Sequence, residues 1–181
     1  MKGPLTAGEP ADFPTLYRSE FAYVWKTLRR LGAPVRDLED LAHELFVVVH
    51  RHLRDYDRTR PLRPWLFGIA VRVLSDYRRT FRNSRELLDR RAAAAEPIDA
   101  APGQDERLGE AQARALLMRA LDELPFERRV VLVMHDLDGV AVPEIAAALD
   151  IPLNTAYSRL RLARVDLTAA VRRPRGSQER G

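Results

Sequence analysis

Val142–Arg164, VPEIAAALDIPLNTAYSRLRLAR, decides the fold of this chain, because it reads as two short helices joined by a tight turn. Pro143 suits a first helical turn, where no backbone donor is needed, and Glu144 complements the positive helix end. Ile145, Ala146 and Leu149 recur at helical spacing. Asp150 stands where the helix must stop, a position at which aspartate tolerates the left-handed backbone, and Pro152 prevents continuation. Asn154 or Thr155 is expected to cap the second helix, in which Ala156, Leu160, Ala163 and Leu167 fall on one apolar stripe. Asn154, Ser158 and Arg161 then point the opposite way. A helix pair with a polar, basic outer face is the geometry that lays a helix end into a DNA major groove. An ordinary packed pair with a solvated arginine face would share the pattern.

The rest of the chain is read outward from that segment. Few glycines or prolines interrupt the long periodic stretches and no strand alternation appears, so the chain is expected to be all-α. Met1–Asp12 reads as a loose leader. A first helix runs from about Phe13 to Leu31 on Leu16, Tyr17, Phe21, Val24, Trp25 and Leu28, ended by Gly32 and Pro34. A second covers Asp37 to Leu53, with Leu38, Leu41, Leu45, Val48, Val49 and Leu53 inward. After an Asp57–Pro64 loop, a third starts at Pro64 or Trp65 and continues to Arg82 on Leu66, Ile69, Ala70, Val73 and Tyr77.

Residues 83–107, rich in alanine, proline and acidic groups, cannot bury a core and read as a flexible linker with a helical start at most. Residues 108–173 form a second small helical domain. Its first helix carries Ala115, Leu116, Leu121 and Leu124; its second carries Val130, Val131 and Val133 and ends near Gly139, before the helix-turn-helix. The tail 174–181 is expected to be disordered.

The 181 residues carry a net charge of +4, modest enough that its placement matters more than its size. Arginines cluster at 51, 54, 58, 60, 63, 72, 78, 79 and 82, and again at 159, 161, 164, 172, 173 and 175. Asp37, Glu39, Asp40 and Glu44 form an acidic patch, and Asp99, Asp105, Glu106 and Glu110 another. Two basic surfaces separated by acidic tracts imply two DNA contacts with distinct protein contacts. With no cysteine, disulfides and thiolate metal sites are excluded. No signal peptide or membrane-length apolar run is apparent, so the expected location is the cytoplasm, without membrane insertion. His43-Glu44 invites comparison with the zinc-protease pattern HExxH, yet position 47 is Val47, and His50 and His52 do not share a helix face. No phosphate loop or nucleophile motif appears, so no metal, cofactor or enzymatic activity is expected.

Two longer stretches carry a family resemblance. DLAHELFVVVHRHLRDYD (Asp40–Asp57) followed by RPLRPWLFGIAVRVLSDYRR (Arg60–Arg79) resembles the second conserved region of extracytoplasmic-function sigma factors, members of the sigma-70 family. LDELPFERRVVLVMHDLDGVAVPEIAAALDIPLNTAYSRLRLAR (Leu121–Arg164) resembles their fourth. The resemblance spans about Phe13–Arg82 and Leu108–Arg173. It implies a protein that binds core RNA polymerase and directs it to −10 and −35 promoter elements in transcription initiation. It also implies that polymerase performs the catalysis.

On the matching positions, Asp40, His43 and Glu44 would contact core polymerase. Arg58, Thr59, Arg60, Leu62, Arg63, Arg72, Ser75 and Arg79 would hold the −10 DNA, the loop before the tryptophan helix rewarding a flipped base. Trp65 reads as a half-buried anchor rather than a stacking platform. At the −35 element Asn154, Tyr157, Ser158 and Arg161 would read bases, while Thr155, Arg159, Arg164 and Arg172 would hold phosphates. Val131, Met134 and His135 are candidates for the polymerase flap. A possible anti-sigma partner is implied as well.

The chain departs from the family pattern at His43-Glu44-Leu45, at Gly68, at Tyr157, and at Arg72 where asparagine is common. Promoter preference therefore does not transfer. The competing expectation is a conventional two-domain helix-turn-helix regulator, whose first-domain helices would bury the face that is basic here.

Overall fold

The computed structural model describes residues 12–87 and 105–173, and among these it contains seven α-helices and no strand. The leader before Asp12, residues 88–104 of the expected 83–107 linker and the tail from 174 lie outside the described residues, while the two ends of that linker are helical, continuing the helix before it and opening the helix after it. Helix α1 spans Phe13–Arg30, α2 Leu38–His52, α3 Leu62–Leu87, α4 Asp105–Asp122, α5 Phe126–Leu132, α6 Val142–Leu149 and α7 Leu153–Arg172.

Local chemistry sets the ends of α1. Asp12 caps it by accepting from the Thr15 amide at 2.9 Å, Pro14 occupies its first turn, and Gly32 ends it at φ +95°. The Ala33 amide reaches back to the Leu28 carbonyl at 3.0 Å, closing the helix as a left-handed glycine permits. Its inner face buries Leu16, Val24 and Leu28 together with two polar residues, Glu20 and Thr27. Tyr17, Phe21 and Trp25 are half-buried instead, in an aromatic ladder that closes on Phe46 of α2. Phe46 is thus inward and Val48 only half so, because the partner helix supplies aromatic rings on that side.

Helix α3 starts earlier than expected, at Leu62, whose half-buried side chain packs on the core. It contributes Leu66, Phe67, Ile69, Ala70, Val73 and Leu74 to that core. In the second half, α5 runs into a wider helical turn, Val133–Leu137, that ends at Gly139 with φ +72°. Helix α6 stops at Asp150, which adopts φ +53° and ψ +51°. The stripe Ala156, Leu160 and Ala163 is buried, with Leu167 packed at its edge.

One apolar cluster continues from α1–α3 into α5–α7, so the two halves pack on each other. Helix α6 lies on α3 at Gly68, where a Cβ would come within 3.4 Å of the Ala148 carbonyl oxygen. Among the described residues no helix is long and apolar enough to cross a membrane.

Candidate nucleic-acid interface

On α2, Leu41, Ala42 and Leu45 face the core, and helical spacing therefore turns Asp40, His43 and Glu44 outward. All three are exposed. None makes a side-chain hydrogen bond or ion pair among the described residues, which leaves a free acidic face available to a basic surface.

The loop before α3 is held in shape by Asp57. Its carboxylate accepts from the Thr59 amide at 3.0 Å and the Thr59 hydroxyl at 2.7 Å, and Arg60 Nε lies 3.4 Å away. These hydrogen bonds, and then the arginine charge, hold the Asp57 carboxyl below its ordinary range. The Tyr56 hydroxyl donates to the Arg60 carbonyl, while its ring lies 4.6 Å from that of half-buried Trp65. Thr59 and Arg60 thus shape the loop, and Arg58 is exposed beside them.

Arg63 opens α3 between two residues of α1. Its Nε donates to Glu20 at 3.2 Å, and its guanidinium lies 4.9 Å from the centre of the Tyr23 ring. Farther along, Arg72 is exposed, Arg79 pairs with Asp76 at 3.0 Å, and the half-buried Ser75 hydroxyl donates to the Val71 carbonyl at 2.7 Å. Arg58, Arg72 and Arg79 therefore present charge to solvent, whereas Leu62 is committed to packing. Arg82 lies where α3 is described only as backbone.

Helix α7 departs from the expected start. Pro152, with φ −58° and ψ +141°, is the residue before it, and no side chain caps it. Asn154 and Thr155 lie inside the first turn, because the proline ring already supplies the extended backbone that precedes a helix. Asn154 is consequently free on the outer face with Tyr157, Ser158 and Arg161, all four exposed. Ser158 donates to the Thr155 carbonyl at 3.0 Å, and Thr155 and Arg159 are half-buried at the side. Arg164 grips both oxygens of Asp136, at 2.6 and 3.0 Å, while Arg172 is exposed at the far end. Arg128–Asp166 at 2.7 Å and Arg173–Glu123 at 2.6 Å fasten α7 to the helices beneath it.

Of the flap candidates, two are inside the core and one is at its edge. Val131 and Met134 are fully buried and carry the core; His135 is half-buried, its ring Nδ1 2.8 Å from the Val140 carbonyl oxygen. Met134 lies three and four residues beyond the buried Val131 and Val130, on the helix face they share.

Two segments match known families in the order these surfaces follow: Sigma-70 region 2 over residues 16–84, and Sigma-70, region 4 over residues 114–167. The RNA polymerase sigma factor CnrH of Cupriavidus metallidurans is 30% identical over 170 residues, which cover 90% of this chain and 88% of that protein. The ECF RNA polymerase sigma factor SigL of Mycobacterium tuberculosis is 30% identical over 158 residues, 87% of each chain. This chain belongs to the extracytoplasmic-function sigma factors.

The sigma factor's fold agrees. The structure of CnrH in complex with the cytosolic domain of CnrY aligns at a TM-score of 0.58 with 28% identity, covering 90% of this chain and 88% of that one. The sigma factor RpoE in complex with the anti-sigma factor NepR from Bartonella quintana aligns at 0.69 with 20% identity, covering 91% and 99%. The protein is thus an RNA polymerase sigma factor, a transcription initiation factor. A conventional regulator is not favoured, because the first half, the part expected to differ, is itself the region 2 match.

Three residues at this interface escaped the sequence reading. Asp57 carried a usable signal, an aspartate two residues before a threonine being a common side-chain turn. Glu20 and Asp136 carried none, since their arginine partners lie 43 and 28 residues away.

Proposed function

We propose that the sigma factor docks on core RNA polymerase through Asp40, His43 and Glu44, and recognises a two-element promoter. The outer face of α7 enters the major groove of the −35 element, with Asn154, Tyr157, Ser158 and Arg161 reading base edges and Thr155, Arg159, Arg164 and Arg172 near phosphates. The loop at Arg58–Arg60 with Leu62, Arg63, Arg72, Ser75 and Arg79 forms the −10 surface. There Arg58 and Arg72 supply unpaired charge for the single strand, and the Asp57-braced loop frames the base that leaves the stack. Separation of function follows the region boundaries, 13–82 for the −10 and polymerase surfaces and 108–173 for the −35 surface, with 83–107 as connector.

The observation that carries this reading is the division of α7: Ala156, Leu160 and Ala163 buried, Asn154, Tyr157, Ser158 and Arg161 exposed together. The sigma factor performs no bond-making chemistry, needs no cofactor, and works in the cytoplasm where polymerase and promoter meet. A protein partner of the anti-sigma kind fits the same surfaces; the similar CnrH was solved bound to the cytosolic domain of CnrY.

Purified sigma factor with core polymerase is expected to start discrete transcripts from a two-element promoter, with thymines near −10 becoming reactive to permanganate. Specific duplex binding by the protein alone, without co-purification of core polymerase, would overturn the proposal.

A further inference from the structure

We propose that Leu153 and Tyr157 form an apolar edge of the −35 reader that receives the C5-methyl group of a thymine, and that Leu153 is a specificity-determining residue of this sigma factor. Both residues belong to the helix placed in the −35 groove above, so their role rests on that reading.

Leu153 is the first residue of α7, directly after the Pro152 entry, and it is 43% exposed. Tyr157, one turn on, is 52% exposed. A spacing of four places both on one side of the helix, and the next residue in that row is Arg161. The ridge Leu153, Tyr157, Arg161 thus changes from aliphatic to aromatic to cationic with distance from the helix N-terminus. Neither Leu153 nor Tyr157 joins the apolar cluster beneath α7, and the Tyr157 hydroxyl has no hydrogen-bond partner among the described residues. Val165 and Val171 are exposed as well, but they stand roughly three and five turns along α7, past the helix end that enters the groove.

The two flanks of α7 are chemically unlike. Thr155 and Arg159 lie on the opposite flank, half-buried, polar and basic, as a side facing phosphates requires. Leucine against the other phosphate wall would strip water from charged oxygens and return no donor to them. The helix is therefore rolled so that Leu153 and Tyr157 turn away from the phosphates and toward the base edges. In the major groove the bases display donors, acceptors and one apolar group, the thymine C5-methyl. That methyl is the partner that an aliphatic chain and an aromatic ring share.

The ridge also sets a spacing. At ~1.5 Å per residue, Leu153 and Arg161 lie about 12 Å apart along the helix axis, and base pairs stack at ~3.4 Å. With α7 along the groove, the methyl lies about three to four pairs from the base read by Arg161.

Transcript starts mapped with the reconstituted holoenzyme supply a promoter and its −35 duplex. Replacing each thymine of that element in turn, on either strand, by deoxyuridine removes only the methyl group and keeps every hydrogen-bonding atom. At one position, about three to four pairs from the base whose discrimination depends on Arg161, uracil should weaken holoenzyme binding about fourfold, the effect of burying one methyl group. Leu153→Ala holoenzyme should bind the thymine promoter about as weakly as the wild type binds the uracil one, and should no longer distinguish the two. Tyr157→Phe should keep the distinction, because the ring rather than the hydroxyl makes the contact, and Tyr157→Ala should reduce it. Helical circular dichroism checks that all three variants fold. A −35 element without thymine at that distance, no cost of uracil at any position, or a uracil cost that persists in Leu153→Ala would overturn the proposal. Weaker assembly of Leu153→Ala with core polymerase, in place of the lost distinction, would do the same and make the pair a protein contact. Transcript starts that do not depend on −35 sequence would strike the functional reading instead.

Discussion

Arg164 and Asp136 form a two-pronged ion pair, Nε and Nη2 at 3.0 and 2.6 Å from the two carboxylate oxygens, across the gap between α7 and the wide turn. The arginine hydrogen bond holds the Asp136 carboxyl below its ordinary value, and the same partner raises the Arg164 guanidinium. Arg164 is thus a cation whose charge is partly spent before DNA arrives. Asp136→Asn should release it, strengthening duplex binding on all sequences and steepening the dependence of log affinity on log salt by up to about one. Fluorescence anisotropy over a salt series measures both.

The same pair fixes a pH effect. A carboxyl whose folded value is depressed contributes stability above its unfolded value of 3.8, and loses it as pH falls through the folded value. Because Arg164 is half exposed, the contribution is of the order of 0.2–1 kcal/mol. Thermal melts should therefore show the wild type above Asp136→Asn at neutral pH, with the difference shrinking as pH falls below 3.8 and through the depressed Asp136 value.

Arg161 stands unpaired on the outer face of α7, one turn from Tyr157 and Ser158. If it makes a bidentate contact to guanine, Arg161→Ala should reduce discrimination among −35 variants by about 1–3 kcal/mol while changing affinity for unrelated duplex less. Equal losses on every sequence would assign it to phosphate.

How much of this could be read beforehand depended on whether the causes were local. The stripe Ala156–Leu160–Ala163 and the left-handed Asp150 were legible, since helix period and turn chemistry act within a few residues. The cap of α7 was misread because Asn154 and Thr155 suit a cap by type, while Pro152 already supplied the entry geometry. Val131 and Met134, named for the flap by resemblance, continue the buried face of Val130 at helical spacing. The Asp138 contacts were out of reach: Tyr23 and Arg30 lie 115 and 108 residues away, and no periodicity connects them.

Gly32 is constrained twice, by φ +95° and by the Arg129 guanidinium packed over it. Gly32→Ala should cost about 1–3 kcal/mol from backbone strain alone, more if Arg129 must move. Adding Arg129→Ala should recover only the steric part. Urea unfolding of the single and double variants separates the two contributions.

Glu20 is 4% exposed and takes its ion pair from Arg63, a −10 candidate, so a simple deletion there confuses stability with function. Arg63→Ala should destabilise the protein by about 1–3 kcal/mol, because a buried carboxylate loses its charged donor. Glu20→Gln added to it removes the buried charge and should return part of that stability. If Arg63 also holds the single strand, the double variant regains its melting temperature but still opens the −10 element poorly, as read by 2-aminopurine fluorescence in the promoter complex. Recovery of both would make Arg63 a structural residue whose only task is to neutralise Glu20.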